Sequence, residues 1–241
     1  MALESSSRGI FRLPLKEYGR SLQGSVLQYV PCEGPCRILV IAGIHGEEPE
    51  TTFLLSRCLR AFDRPFKNVA FVLCANPDGM TLGTRGNLRG VDLNRNFPTS
   101  NWTAGEVMSR SVLEAPRDTV LSAGTAGGTE PEVRALLDLI AQLKPASIVS
   151  MHAPIACVDA PSRTPLVDLF CKAFNLPWLP DIGYPTPGSL GTWCKEQSCG
   201  NPSQKQKNAP IECVTLELPR MSLEALFDRY GRPFIELLEN L

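Results

Sequence analysis

The sequence predicts an α/β fold: one domain built on a mostly parallel sheet with helices on both faces. Three observations carry this. Residues 37–50 (RILVIAGIHGEEPE) crowd Ile38, Leu39, Val40, Ile41 and Ile44 into seven positions, which reads as a strand buried on both faces. Comparable apolar runs recur at 69–74 (VAFVLC), 146–151 (ASIVSM) and 211–218 (IECVTLEL). Segments with helical spacing separate them, so strands and helices alternate in βαβ order.

Taken in order, residues 1–10 carry no apolar pattern and are expected to fray. Residues 18–21 and Gly24 read as a turn, and 25–30 as a strand feeding the sheet. The 38–44 strand breaks at Gly43 and Gly46, where glycine releases the backbone into a tight turn. Residues 49–60, with Phe53, Leu54, Leu55 and Leu59, read as a helix. The second buried strand, 69–74, runs into Asn76-Pro77-Asp78-Gly79, which is turn chemistry. Residues 80–102 are dense in Gly, Asn and Arg and read as loop, and 101–128 as a long excursion over the active face. Thr129 and Glu132 form a capping box with Pro131 inside the first turn. The helix they open keeps Val133, Leu136, Leu137, Ile140 and Leu143 on one face and is stopped by Pro145. The third strand, 146–151, ends at His152. Residues 165–174 read as helix, 179–191 as a Pro/Gly-rich loop and 211–218 as the fourth strand. A helix over 222–241, N-capped by Ser222, closes the chain.

The 241 residues suit one catalytic domain spanning 1–241. The formal net charge of −1 offers no electrostatic case for nucleic acid or an anionic membrane. No apolar run approaches the ~20 residues of a membrane span, and the N-terminus lacks a signal-peptide core. Nine cysteines are spread without pattern. Cys32 and Cys36 are the close pair, a weak zinc signal without a second pair, and all nine read as reduced thiols of a cytoplasmic protein.

His45, Glu48, Asn76, Arg85, Asn94, Arg95, His152 and Glu217 all fall at strand ends or in the loops that follow. Ligands of open α/β sheets gather there. The chain has two histidines, and both occupy such positions. His45 and Glu48 alone would read as a loop histidine and a capping acid. With His152 they supply three ligands and leave a fourth position open for water, the pattern of a catalytic zinc. Glu217 sits inside an apolar run, where burial rarely tolerates an acid without a role.

These motifs, GIHGEEPE, NPDG, RGNLRGVDLNRNF, SMH and TLELP, occur in an order that resembles the zinc carboxypeptidase family over residues 18–219. The resemblance implies a mixed, mostly parallel twisted sheet and one Zn2+ per chain on His45, Glu48 and His152. It implies that Glu217 is the general base, and that Arg85, rather than its neighbour Arg89, stabilises the oxyanion. Asn94 and Arg95 would grip a terminal carboxylate, which the planar guanidinium fork suits. Asp92 is the expected acceptor for a zinc-bound histidine. Ala153 departs from relatives that carry an acid there, and Tyr184 is the candidate for the family's mobile tyrosine, with no catalytic role assigned. The stretches FPTSNW, HAPIACVD and GYPTPGSLGTWC further resemble a bacterial branch of the family. Its members cut the γ-D-glutamyl–meso-diaminopimelate bond of murein tripeptide (L-Ala-γ-D-Glu-meso-Dap) in cytoplasmic recycling of cell-wall peptides. The implied partner is that small peptide, with no nucleic acid and no membrane; a homodimer is allowed. The second amino-carboxylate end of diaminopimelate is expected near Asp159 and residues 183–192. Two other readings stand beside this one. One is an acyl-amino-acid deacylase of the aspartoacylase and succinylglutamate desuccinylase type, which NPDG and TLELP disfavour. The other is an inactive zinc fold that binds peptides, which the complete set of ligands and base disfavours.

Overall fold

The computed structural model describes residues 10–110, 118–199 and 211–241. Its first half contains β1 (Lys16–Arg20), β2 (Val26–Val30), β3 (Ile38–Ile41), α1 (Pro49–Leu59), β4 (Val69–Val72), α2 (Pro77–Leu82), β5 (Glu106–Arg110) and β6 (Asp118–Ser122). The second half contains α3 (Pro131–Leu143), β7 (Ser147–His152), β8 (Ile155–Asp159), α4 (Pro165–Phe174), β9 (Trp178–Leu179), α5 (Leu190–Cys199), β10 (Glu212–Pro219) and α6 (Leu223–Glu239).

Eight strands form one mixed sheet in the order β1-β2-β4-β3-β7-β10-β8-β9. The central strands β4, β3, β7 and β10 run parallel, while β2 and β8 flank them antiparallel. The apolar runs seen in the sequence are these central strands, and their alternate residues feed two cores. Val40, Phe71, Val149 and Leu216 pack with α1, α4 and α6 on one face. Leu39, Ile41, Val72 and Ile148 pack with α3 and the start of α5 on the other. The predicted α/β layout with helices on both faces is therefore the observed one.

Several local expectations give way to tertiary partners. Residues 18–20 belong to β1, not to a turn, because the missing Cβ of Gly19 lets the strand lie close against Ala135 of α3. Asn76-Pro77-Asp78-Gly79 opens α2: the Asn76 side chain accepts from Gly79 N at 3.0 Å, and Pro77 takes the first helical position. The capping box does not form. Glu130 is the N-cap of α3, Thr129 donates to Ala126 O, and Glu132 accepts from Leu22 N and Asn87 Nδ2. Residues 101–128 contain the β5–β6 hairpin, with 111–117 outside the described residues, as are residues 1–9 of the expected frayed end. β8 and α5 are additions that the sequence reading lacks.

One close approach positions the catalytic edge. A Cβ on Gly46 would land on the backbone carbonyl of Gly79, so glycine alone lets the loop after β3 press against α2. Gly46→Ala must push these two backbones apart. Overpacking of this kind costs about 1–3 kcal/mol, so a thermal melt should show a clear drop in Tm. An unchanged Tm would show that the loop yields freely.

Candidate metal centre

The sheet brings the site together by register. β10 pairs with β7 in parallel, setting Glu217 beside His152 and Thr215 beside Ser150. Because side chains alternate along a strand, Val214, Leu216 and Leu218 enter the core, and Thr215 and Glu217 face the other way. Two loops close over that face. The first follows β3 and carries His45 and Glu48. The second carries Arg85. Asn76, fully buried, ties them by donating to Ile44 O at 3.3 Å and Gly86 O at 3.1 Å.

Within this frame His45, Glu48 and His152 present donor atoms that all lie within 4.8 Å of one another. The Nδ1 atoms of the two rings are 3.1 Å apart. Glu48 Oε1 is 2.7 Å from His45 Nδ1, and Glu48 Oε2 is 3.1 Å from His152 Nδ1. Two imidazole lone pairs cannot face each other at that distance without a proton or a cation between them. The far nitrogens decide the tautomers. His45 Nε2 lies 3.2 Å from Asp92 Oδ1 and His152 Nε2 lies 3.0 Å from Ser150 Oγ. A proton on each Nε2 leaves both Nδ1 lone pairs convergent with a carboxylate, the donor set zinc takes.

The charges agree. Glu47, Glu48 and Asp92 surround one guanidinium, Arg85, which donates to Asp92 Oδ2 at 3.0 Å, Glu47 Oε1 at 3.3 Å and Glu48 Oε1 at 3.4 Å. Three carboxylates against one guanidinium leave an excess of negative charge for a divalent cation. Burial and Arg85 push the His45 imidazole down, but Glu48 and Asp92 outweigh them and raise it to about 9. Burial would raise the Glu48 and Asp92 carboxyls; their cationic neighbours hold both well below the usual carboxylate range. Glu217 differs. Burial dominates there and pushes its carboxyl up, and its Oε2 accepts from Ile155 N at 3.4 Å.

All seven candidate residues border one cavity of about 1250 Å³, which Asp159 and Tyr184 also line. Asn94 is pinned there by Leu190 N at 2.9 Å to its Oδ1 and by Asp92 Oδ1 to its own N–H at 2.9 Å. Arg95 Nη1 donates to Asn94 O at 2.7 Å. Arg89 points elsewhere, to Glu130 at 3.5 Å. Cys32 and Cys36 are free thiols apart from this centre. Sequence reasoning missed Ser150 and Glu47. Ser150 stands two residues before His152 on the same strand face, and that period of two could have found it.

The family profile described as zinc carboxypeptidase matches residues 15–155, more than half of the chain. The chain belongs to the zinc carboxypeptidase family. Relatives within it are close. Murein peptide amidase A of Escherichia coli (strain K12) is 39% identical over 228 residues, covering 93% of this chain and 89% of that protein. The protein of the same name from Vibrio campbellii is 38% identical over 238 residues, covering 98% and 91%. The crystal structure of murein-tripeptide amidase from Escherichia coli O157 superposes with a TM-score of 0.88 at 37% identity, covering 99% of this chain and 98% of that one. The carboxypeptidase A of Helicoverpa armigera shares the fold alone, with a TM-score of 0.66 at 17% identity over 95% of this chain and 68% of that one. The cofactor of the family is zinc, and among the described residues His45, Glu48 and His152 are the cluster that can hold it.

Metal analysis tests the centre. His152→Ala and Glu48→Ala should lose tightly held zinc, and Asp92→Asn should bind it about 10- to 100-fold more weakly by freeing the His45 ring. Stoichiometric, tightly held zinc in both ligand variants would contradict the arrangement.

Proposed function

We propose that this chain is a zinc amidase that hydrolyses the γ-D-glutamyl–meso-diaminopimelate bond of murein tripeptide. One observation carries the reading: His45, Glu48 and His152 converge beside Glu217 in a cavity that also presents Arg85, Asn94 and Arg95. The relatives at 38–39% identity, named murein peptide amidase A, supply the substrate class.

Zinc, when bound by the three ligands, lowers the pKa of a water toward ~7 and polarises the amide carbonyl. The chain's own residues do the rest. Glu217 accepts the proton of the attacking water and passes it to the departing amine; transfer of this kind typically gives ~10²–10⁴-fold. Its buried setting, which raises the carboxyl, makes it a stronger base than an exposed glutamate. Arg85, held by Asp92 and Glu47, aims its charge where negative charge grows on the carbonyl oxygen. Arg95 is different. It is largely buried, burial lowers its pKa, and its described hydrogen bond goes to a backbone carbonyl rather than to an acid. A desolvated guanidinium without an acid of its own fits the terminal α-carboxylate of a substrate, with Asn94 beside it.

The cavity of about 1250 Å³ favours a peptide over the small acyl group of a deacylase. The complete set of ligands and base favours catalysis over passive binding. We place the protein in the cytoplasm, where its implied substrate is recycled; the free state of the eight described cysteines fits a reducing compartment.

The assay is release of free diaminopimelate from synthetic peptides. Extending the tripeptide with D-Ala converts the α-carboxylate of diaminopimelate into an amide, displaces the terminal carboxylate by one residue and leaves Arg95 unpaired. Losing the partner of a buried charged group costs roughly 2–5 kcal/mol, or ~30- to several-thousand-fold in kcat/KM. Arg95→Ala should erase most of that preference. Equal kcat/KM values on tripeptide and tetrapeptide would overturn the carboxylate clamp.

A further inference from the structure

The cavity extends well past the residues that the chemistry uses. Along β10 its floor continues from Glu217 back to Thr215, and Asp159 of β8 pairs with Thr215 in the antiparallel ladder. Val158 enters the core, so its neighbour Asp159 faces the cavity with Thr215. Asp159 thus lies on the neighbouring strand beside Thr215, two residues (~6.6 Å) back along β10 from Glu217 and one strand spacing (~4.8 Å) across, about 8 Å in all.

What Asp159 lacks is informative. It is half-buried, yet among the described residues it has neither a hydrogen bond nor an ion pair. Burial and a second acid, Asp181, raise its carboxyl and outweigh the opposing pull of His152. A chain that buries a carboxylate normally supplies it with a cation or a donor. Here it supplies neither. Lys195, on α5, lines the same cavity and likewise has no described ion-pair partner. Half-buried Asp159 and exposed Lys195 therefore offer this cavity two unspent charges of opposite sign.

We infer that Asp159, supported by Asp181, binds the ammonium at the far end of the substrate's C-terminal side chain, and that Lys195 binds the carboxylate on the same carbon. This assignment rests on the amidase reading and extends it to substrate choice. Diaminopimelate carries three methylenes from its α-carbon to a carbon bearing both an ammonium and a carboxylate. With the α-carboxylate at Arg95, that chain would run along the cavity floor from Glu217 toward Asp159. Lysine would offer the ammonium alone. The two residues therefore have separable tasks: Asp159 admits a cationic end, and Lys195 selects diaminopimelate over lysine.

Kinetics on L-Ala-γ-D-Glu-meso-Dap and L-Ala-γ-D-Glu-L-Lys separate these tasks. Asp159→Asn should lower kcat/KM about 10- to 100-fold on both peptides, the loss of a charge-assisted hydrogen bond, mainly through KM. Lys195→Met, at an exposed position, should lower it about two- to fivefold on the diaminopimelate peptide and leave the lysine peptide unchanged. Zinc content and Tm should match the parent in both variants. Parental kcat/KM for Asp159→Asn on both peptides, or equal losses on both for Lys195→Met, would overturn the assignment while the amidase reading stands. A zinc-loaded parent protein that cuts neither peptide would overturn the amidase reading, and this assignment with it.

Discussion

The active face depends on the carboxylate of Asp92, which is fully buried. One oxygen takes both His45 Nε2 and the Asn94 N–H, and the other takes Arg85 Nε. A buried carboxylate is tolerated only when partners satisfy it, and removing one partner of a buried pair typically costs ~3–5 kcal/mol. Each partner is thereby fixed by the same group. His45 is held in the tautomer that directs Nδ1 inward. Arg85 is held beside the centre, and the turn at Leu93–Arg95 begins with Asn94 bonded to the carboxylate. The metal ligand and the groups proposed as oxyanion partner and carboxylate clamp share one anchor, so they cannot drift independently.

The sheet supplies the other half. Parallel pairing of β7 and β10 sets His152 and Glu217 side by side, and α5 packs over β10 nearer its start, at Cys213. That leaves Thr215 and Glu217 open to the cavity. Antiparallel β8 then widens the floor on the far side of β10 and brings Asp159 to it. On the proposed assignment, strand geometry reads substrate length and charge, while the loops provide the chemistry. Gly188 fits the same logic: its φ is +70, and a Cβ there would collide with the Arg95 carbonyl, so the loop before α5 packs directly against the clamp.

Most of this was legible where burial imposes a pattern. The central strands announce themselves because both faces are covered over most of their length, so most positions are apolar. α4 and α6 carry clean signals as well, with Thr164 and Ser222 capping their N-termini through side chains. The three donors stood out as polar residues just past apolar runs, and Glu217 as an acid inside one. Other features depend on contacts distant in sequence. The capping box at Thr129 failed because Glu132 finds Leu22 and Asn87, 110 and 45 residues away. α5 was hidden in a Pro/Gly-rich stretch, since only Leu190 and Cys194 of its first turns are buried. β8 follows the His152 strand directly through Pro154, and its pairing with β10 and β9 makes it a strand. Glu47 carries no local motif and is defined by the Arg85 guanidinium it meets.

The central claim is that binding zinc and moving the proton belong to different residues of one buried cluster. Glu217→Gln tests it most directly, with zinc content and kcat measured on the same preparation. The account predicts stoichiometric zinc, a parental fold and at least a hundredfold loss of kcat on the murein tripeptide, the low end of a general base's usual contribution of ~10²–10⁴-fold. A variant that keeps its zinc and turns over within about tenfold of the parent, below that range, would contradict it.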